Sequence, residues 1–343
     1  MMWTRNWLTV IAVLSGVLLG EGNVAFHPGV IQRAVADAGS SSGFDVEGHR
    51  GARGLRPENT LPAFETALDL GVTTLELDLH YSADGVVVIW HDDRIPKDKC
   101  RVDPAAAAPL PPDPESGSVS DADLMISHLT LSQLQKYRCD RNPDVKRFPE
   151  QKNGPTTLAG DDYTLISLER LFDFVESYGQ SPQKTSVQQM TAKRIQFNIE
   201  TKRKPSNPEA INDGFDGVNP GPFERAIVTL VEARNLVERV IVQSFDQRSL
   251  WALHALNPDV RLAALSADFV GAAQLQDFAE RGAAIWSPNH TTLTAQRINQ
   301  AHAAGLRVIP WTVNDLNVLG RLVELGVDGV ITDRPDLILM ALE

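Results

Sequence analysis

Cysteine is scarce: Cys100 and Cys139 are the two in a chain of 343 residues. That excludes a disulfide-built scaffold, and a lone pair at this distance lacks the spacing of a zinc site. Basic charge is short as well, with 32 Lys and Arg against 44 Asp and Glu and a formal net charge of −12. Nonspecific nucleic-acid binding runs on phosphate neutralisation, so nucleic acid is excluded as a partner. An anionic small molecule fits this balance where a metal or a few local bases reverse the sign inside one cleft. No G-x-G-x-x-G turn follows a strand-like run, which removes the support for a dinucleotide-binding open sheet. Long apolar runs are missing too: the stretch Trp7 to Leu19, preceded by Arg5, is too short to span a bilayer comfortably. What is present, 43% apolar and 22% charged residues, is ordinary globular composition.

The apolar stretch is followed by Ala34-Val35-Ala36, a small-x-small cleavage pattern. Residues 1–36 therefore read as a signal peptide and 37–43 as a linker, which makes the protein exported, periplasmic or secreted, with no stable membrane insertion after cleavage. Export makes a Cys100–Cys139 bridge chemically allowed, and two unpaired thiols are the equal alternative.

From residue 44 onward, short β-branched runs alternate with amphipathic stretches. Strands are expected over Phe44–Gly48, Thr73–Leu79, Ile195–Glu200, Val240–Ser244, Arg261–Leu265, Ala283–Trp286, Arg307–Val313 and Gly329–Thr332. Between most of them lie helical patterns that end in Gly, such as Thr60–Leu70 before Gly71 and Thr294–Ala304 before Gly305. Eight strands with crossover helices predict an α/β fold, a (β/α)8 TIM barrel, as a single catalytic domain over 44–343.

One strand breaks the parallel rhythm. Val86–His91 follows the second strand after Ala83-Asp84-Gly85, too short for a parallel crossover, so it is expected to fold back as an extra antiparallel hairpin strand. With a two-residue turn at Asp84-Gly85, facing positions sum to 169 and His91 stands opposite Asp78 on the face that also carries Glu76. From 93 to 164 the barrel pattern disappears into proline-rich and polar sequence with one helix-like piece, Leu131–Tyr137. This reads as an insertion over the C-terminal mouth of the barrel, where loops select substrates.

Four clusters fall at strand ends: Gly48-His49-Arg50-Gly51, Glu76-Leu77-Asp78, His91-Asp92 and Asn198-Ile199-Glu200-Thr201-Lys202. Taken singly, Glu76 and Asp78 would be a solvated strand face and His49 a hydrogen-bonded core histidine. In a barrel, however, strand C-termini converge on one mouth, which crowds Glu76, Asp78 and Glu200 together. Like charges in a partly desolvated site call for a cation, and an all-oxygen ligand set favours Mg²⁺ or Ca²⁺ over zinc.

These clusters come in a specific order with further motifs: Pro57-Glu58-Asn59-Thr60, Asp84-Gly85, Gln243-Ser244-Phe245, Trp311-Thr312-Val313-Asn314 and Gly329-Val330-Ile331-Thr332-Asp333. Together they resemble the signature of the glycerophosphodiester phosphodiesterase family across nearly everything from residue 44 onward. The export segment and the long insertion resemble its periplasmic branch. Thr201 departs from the aliphatic residue that many members carry. The resemblance implies a TIM-barrel enzyme, a phosphoric diester hydrolase that converts glycerophosphodiesters to sn-glycerol 3-phosphate and an alcohol with a divalent metal. By position, Glu76, Asp78 and Glu200 match the metal ligands, and His49 and His91 the acid–base pair. Arg50 and Lys202 match phosphate contacts, and Trp311 an aromatic wall of the cleft. Ca²⁺ is the first choice over Mg²⁺, since an exported enzyme meets calcium freely. Of the two, His91 is expected to be the acid, although the sequence fixes its neighbour and not the direction of the leaving group.

Two other readings share the scaffold. One is a lipid phosphodiesterase resembling phosphatidylinositol-specific phospholipase C or sphingomyelinase D, which an apolar rim on the insertion would favour. The other is a catalytically inactive binding protein, which loss of a histidine or metal ligand would signal.

Overall fold

The computed structural model describes residues 43–342. The expected signal peptide 1–36, and all of the linker except Gly43, lie outside the described residues. Twelve strands occur among them: β1 Asp45–Gly48, β2 Thr74–Tyr81, β3 Val87–Ile89, β4 Arg101–Val102, β5 Tyr137–Arg138, β6 Ile166–Ser167, β7 Gln196–Thr201, β8 Val240–Ser244, β9 Arg261–Ser266, β10 Ala283–Pro288, β11 Arg307–Val308 and β12 Gly329–Thr332. Eight of them lie side by side in the order β11-β10-β9-β8-β7-β2-β1-β12. Every neighbouring pair in that row is parallel.

The expected seventh strand, Arg307–Val313, is far shorter than its pattern suggested. Pro310 has no N–H to give to a ladder, so the regular pairing of β11 stops at Val308. The ladder is therefore not continuous around the ring. Three backbone hydrogen bonds cross the gap to the β12 side: Asp328 N–H to Val308 O (2.9 Å), Ile331 N–H to Pro310 O (2.9 Å) and Val313 N–H to Ile331 O (2.9 Å).

Alternation along the strands divides inside from outside. Leu75, Leu77 and Leu79 of β2, with Phe197 and Ile199 of β7, belong to the large core beneath the helices. The intervening positions point into the barrel. On the β8–β12 side, Ile241, Ala263, Ile285, Ile309 and Ile331 fill that interior as a separate apolar cluster with Trp311 packed against it. On the β1, β2 and β7 side the interior positions are Glu47, Glu76, Asp78, Asn198 and Glu200, all buried. The barrel is thus apolar on one half and acidic on the other. That asymmetry places the site.

The hairpin strand β3 is antiparallel to β2, but its register is one residue from the expected one. Leu79 pairs with Ile89, His80 with Val88 and Tyr81 with Val87, so facing positions sum to 168. The loop is three residues, Ala83-Asp84-Gly85, closed by Ser82 N–H to Val86 O (3.0 Å), with Gly85 at φ 77°. In this register a continued strand would turn His91 away from the site. The strand instead ends at Ile89, Trp90 N–H makes one last bond to Asp78 O (3.0 Å), and His91 enters the mouth from irregular chain. His91 thus lines the cavity together with Glu76, but not through the expected strand register.

Residues 93–164 build a second, smaller core. Ile95, Leu124, Ile126, Leu129, Leu134, Tyr137 and the two cysteines pack on Val88 and Trp90 of the hairpin. The helix-like piece is one turn, Leu131–Leu134, followed by β5, which pairs antiparallel with β4. Cys100 and Cys139 form a disulfide across 39 residues. Closing a loop of that length stabilises by about 4 kcal/mol in the chain-entropy account. Reduction should therefore raise amide hydrogen exchange across 95–139 selectively while the β7–β10 amides stay protected. Uniform loss of protection would show that the segment and the barrel melt as one unit.

Candidate active site

The turn after β1 carries the first two site residues. Arg50 takes φ 53° and Gly51 φ 86°, and a Cβ on Gly51 would come within 2.7 Å of the Ala63 backbone. This left-handed turn aims the Arg50 N–H at Glu76 Oε2 (2.9 Å). It also sets His49 over the acidic half of the barrel, with Nδ1 2.5 Å from buried Asp333 Oδ1 and Nε2 4.0 Å from Glu76. An Asp-paired Nδ1 leaves Nε2 as the working nitrogen.

Each residue of Glu58-Asn59-Thr60 has a separate task. Thr60 accepts from Ala63 N–H and caps the helix Leu61–Leu70. Asn59, at φ 57°, donates from Nδ2 to Asp78 Oδ2 (2.8 Å). Glu58 lies 2.9 Å from Arg50 Nη1, 2.6 Å from Arg53 Nε and 2.9 Å from Lys99 Nζ. Burial alone would raise the Glu58 carboxyl, but Arg50 and Lys99 hold it well below the usual carboxylate range. A group depressed in this way stabilises the fold above its ordinary value near 4.5, and that contribution is lost as pH falls below it. Glu58→Gln should cost about 3–5 kcal/mol at pH 7, the scale of breaking a buried charge cluster. Urea melts should show the difference shrinking steadily below about pH 4.

Glu76, Asp78 and Glu200 are brought together, with one oxygen of each within 4.8 Å of the others. Arg50 Nε stands 3.0 Å from Asp78 Oδ2, and Lys202 Nζ stands 2.7 Å from Glu200 and 3.3 Å from Asp78 Oδ1. Glu76 has no such cation at hand and instead accepts Gln243 Nε2 at 2.8 Å. Burial, then the charges of Asp78 and Glu200, push Glu76 well above the usual range. Burial also raises Glu200 despite Lys202. Against burial, Arg50 and Lys202 hold Asp78 well below. Arg50 is shared with Glu58, so the two bases do not neutralise the three carboxylates, and Asp78 Oδ1 is buried with Lys202 3.3 Å away and no hydrogen bond. An all-oxygen set whose charge is only partly compensated, with a buried carboxylate oxygen that makes no hydrogen bond, fits a divalent cation.

His91 lies across the cavity. Its Nδ1 is 2.9 Å from Asp92, whose other oxygen is 2.5 Å from Lys99 Nζ. Burial and then Arg50 lower the His91 ring to about 4, so it is neutral in the free protein. Burial and Arg50 lower His49 also, with Asp333 opposing them. A cavity of about 370 Å³ is lined by His49, Arg50, Glu76, His91, Glu200 and Lys202, while Asp78, fully buried, does not reach its surface. Trp311 and Phe245 form one wall, edge to face with ring centres 5.5 Å apart. Trp311 is fixed by Nε1–H to Ser287 O at 3.0 Å.

All eight site residues expected from sequence converge on this mouth. Asn59, Glu58, Gln243 and Asp333 were visible as motif letters without roles, since their work is to hold other site residues. Arg53, Lys99 and Arg147 also line or brace the cavity. The last two lie in the segment 93–164, where no periodicity marks them.

An α/β barrel whose cavity at the strand C-termini combines carboxylates, two histidines and the bases Arg50, Arg53, Lys99, Arg147 and Lys202 is a hydrolase-type site suited to an anionic ester. The model of the glycerophosphoryl diester phosphodiesterase family matches residues 49–337, and the chain belongs to that family of phosphoric diester hydrolases. It is 25% identical over 298 residues to the glycerophosphodiester phosphodiesterase of Bacillus subtilis strain 168, covering 84% of this chain and 83% of that one. A 24% identical relative from Caldanaerobacter subterraneus carries the same name and is covered over 96% of its length, against 86% of this chain. Among solved structures, one from Silicibacter pomeroyi DSS-3 aligns with TM-score 0.68 at 25% identity, over 90% of this chain and 97% of that one. An Oleispira antarctica phosphodiesterase, solved with the product sn-glycerol-3-phosphate, aligns with TM-score 0.61 at 20% identity, over 87% and 96%.

Proposed function

We propose that the protein hydrolyses glycerophosphodiesters to sn-glycerol 3-phosphate and an alcohol, using a divalent cation held by Glu76, Asp78 and Glu200. The observation that carries this is the meeting of those three carboxylates with Arg50, Lys202 and two histidines in one cavity. Ca²⁺ is favoured over Mg²⁺ because three carboxylates already braced by Arg50, Lys202 and Gln243 suit flexible ligation better than strict octahedral geometry. When bound, the cation supplies charge stabilisation and lowers the pKa of a ligated hydroxyl or water.

The chain's own groups do the rest. Arg50 and Lys202 bring fixed positive charge to the oxygens that gain negative charge as phosphorus is attacked. His49 is the deeper ring, its side chain 12% exposed, and Asp333 orients its Nε2 to accept the nucleophile's proton. His91 is 31% exposed at the outer side, where the leaving alcohol departs, and donates a proton to it. Its low proton affinity in the free protein rises as an anionic phosphodiester binds beside it. Trp311 and Phe245 give the organic part of the substrate an apolar wall.

The lipid-phosphodiesterase alternative called for an apolar rim. The segment 93–164 instead brings Lys99 and Arg147 to the cavity, which supports a water-soluble, deacylated substrate. The site retains every ligand and both histidines, which supports turnover over mere binding. The Cys100–Cys139 disulfide supports an exported, periplasmic or secreted location. A panel of glycerophosphocholine, glycerophosphoethanolamine, phosphatidylinositol and sphingomyelin tests the reading. Release of sn-glycerol 3-phosphate from the first two supports it, and turnover confined to the intact lipids would replace it.

A further inference from the structure

Lys99 occupies an unusual place for a residue contributed by the segment 93–164. Its ammonium is 2.5 Å from Asp92 Oδ2 and 2.9 Å from Glu58 Oε1, and its side chain is 12% exposed. Asp92 in turn meets His91 Nδ1, and Glu58 meets Arg50 and Arg53. The ammonium also stands 5.8 Å from the centre of the Trp90 ring, the hairpin residue just before His91. Lys99 therefore occupies the cation position in the Glu58, His91 and Asp92 group, which would otherwise resemble a second metal site. It ties the His91 carboxylate partner to the cluster that carries Arg50.

The backbone of Lys99 is fixed from both sides. Its N–H bonds Pro96 O (3.2 Å), and its carbonyl accepts from Arg141 N–H (3.2 Å). Cys100 follows directly and is joined to Cys139, two residues before Arg141, inside the small core that includes Trp90. The disulfide thus clamps together the two chain segments between which Lys99 is held.

We propose that Lys99 is a positioning residue for His91, acting through Asp92, and that the Cys100–Cys139 disulfide keeps it in place. This rests on the proposed phosphodiester hydrolysis. Without Lys99, Asp92 has no cation to fix its second oxygen and can rotate away from Nδ1, so His91 loses its orientation while the phosphate-binding groups stay. The effect falls on the step in which His91 moves a proton. A brace needed only for folding would weaken every substrate alike.

The test uses Lys99→Met, which keeps the stem on Trp90, and Lys99→Arg, which keeps the charge. Both are compared with His91→Ala on glycerophosphocholine and on glycerol p-nitrophenyl phosphate. Lys99→Met should lower kcat on glycerophosphocholine about 10–100-fold, the usual cost of losing a group that orients an active-site ligand, with a much smaller change in KM. Its loss should show the same dependence on leaving group as His91→Ala, and Lys99→Arg should recover most of it. Reduction of the wild type well below its Tm should reproduce the pattern in weaker form. Unchanged kcat in Lys99→Met, or equal losses on both substrates where His91→Ala discriminates, would overturn the positioning role. Full activity after verified reduction would overturn the part played by the disulfide. A wild type inert on both diesters would instead sink the functional reading itself.

Discussion

Glu76→Gln should abolish turnover yet leave the chelated protein about as stable as the wild type or more so, whereas Asp78→Asn should abolish turnover and destabilise it. Both changes remove a carboxylate from the same cluster, so the contrast isolates their surroundings. Glu76 is raised by burial and by Asp78 and Glu200, so its ionisation opposes folding at any pH above its ordinary value near 4.5. The amide removes that cost at pH 7, set against one misoriented contact to Gln243 or the Arg50 N–H worth about 1 kcal/mol. Asp78 is depressed by Arg50 and Lys202, so it stabilises the fold above its ordinary value near 3.8, and that contribution is lost as pH falls. Asp78→Asn should therefore cost about 3 kcal/mol at pH 7 and progressively less in acid. Turnover should drop by about 10³-fold or more in each, the scale of several kcal/mol of lost charge stabilisation. Thermal melts in chelator at pH 7, with kcat/KM in saturating Ca²⁺, check both halves. A clear fall in Tm for Glu76→Gln would show that its charge is compensated by a group other than a bound cation.

The second large effect divides the histidines. His49→Ala and His91→Ala should each lower kcat on glycerophosphocholine by about 10²–10⁴-fold, with smaller changes in KM because Arg50 and Lys202 remain. A p-nitrophenyl leaving group needs no proton, so it should rescue the variant that lacks the acid. From the exposure of the two rings at the mouth, that variant is His91→Ala. Rescue of His49→Ala instead would exchange the roles, and rescue of both or neither would end the division of labour.

Much of this arrangement is legible in the sequence, for a physical reason. The side chains of a barrel strand alternate, so Glu76 and Asp78 had to share a face, and strand C-termini had to meet. Local backbone chemistry was read less well. Counting Asp84-Gly85 as a two-residue turn shifted the hairpin by one residue, because a positive-φ glycine also closes a three-residue loop. Pro310 shortened the seventh strand although its neighbours are strand-like. Lys99 and Arg147 could not be found at all. Their place depends on a disulfide and a small core assembled from scattered residues, which leave no period in the sequence.

The proposed turnover depends on a cation held by three carboxylates. Its most direct test is the rate of sn-glycerol 3-phosphate release from glycerophosphocholine by chelated protein as Ca²⁺ or Mg²⁺ is restored. No turnover is expected in chelator, with a saturable return, greater with Ca²⁺, that is lost in Glu76→Gln. Full activity in excess chelator would contradict that dependence.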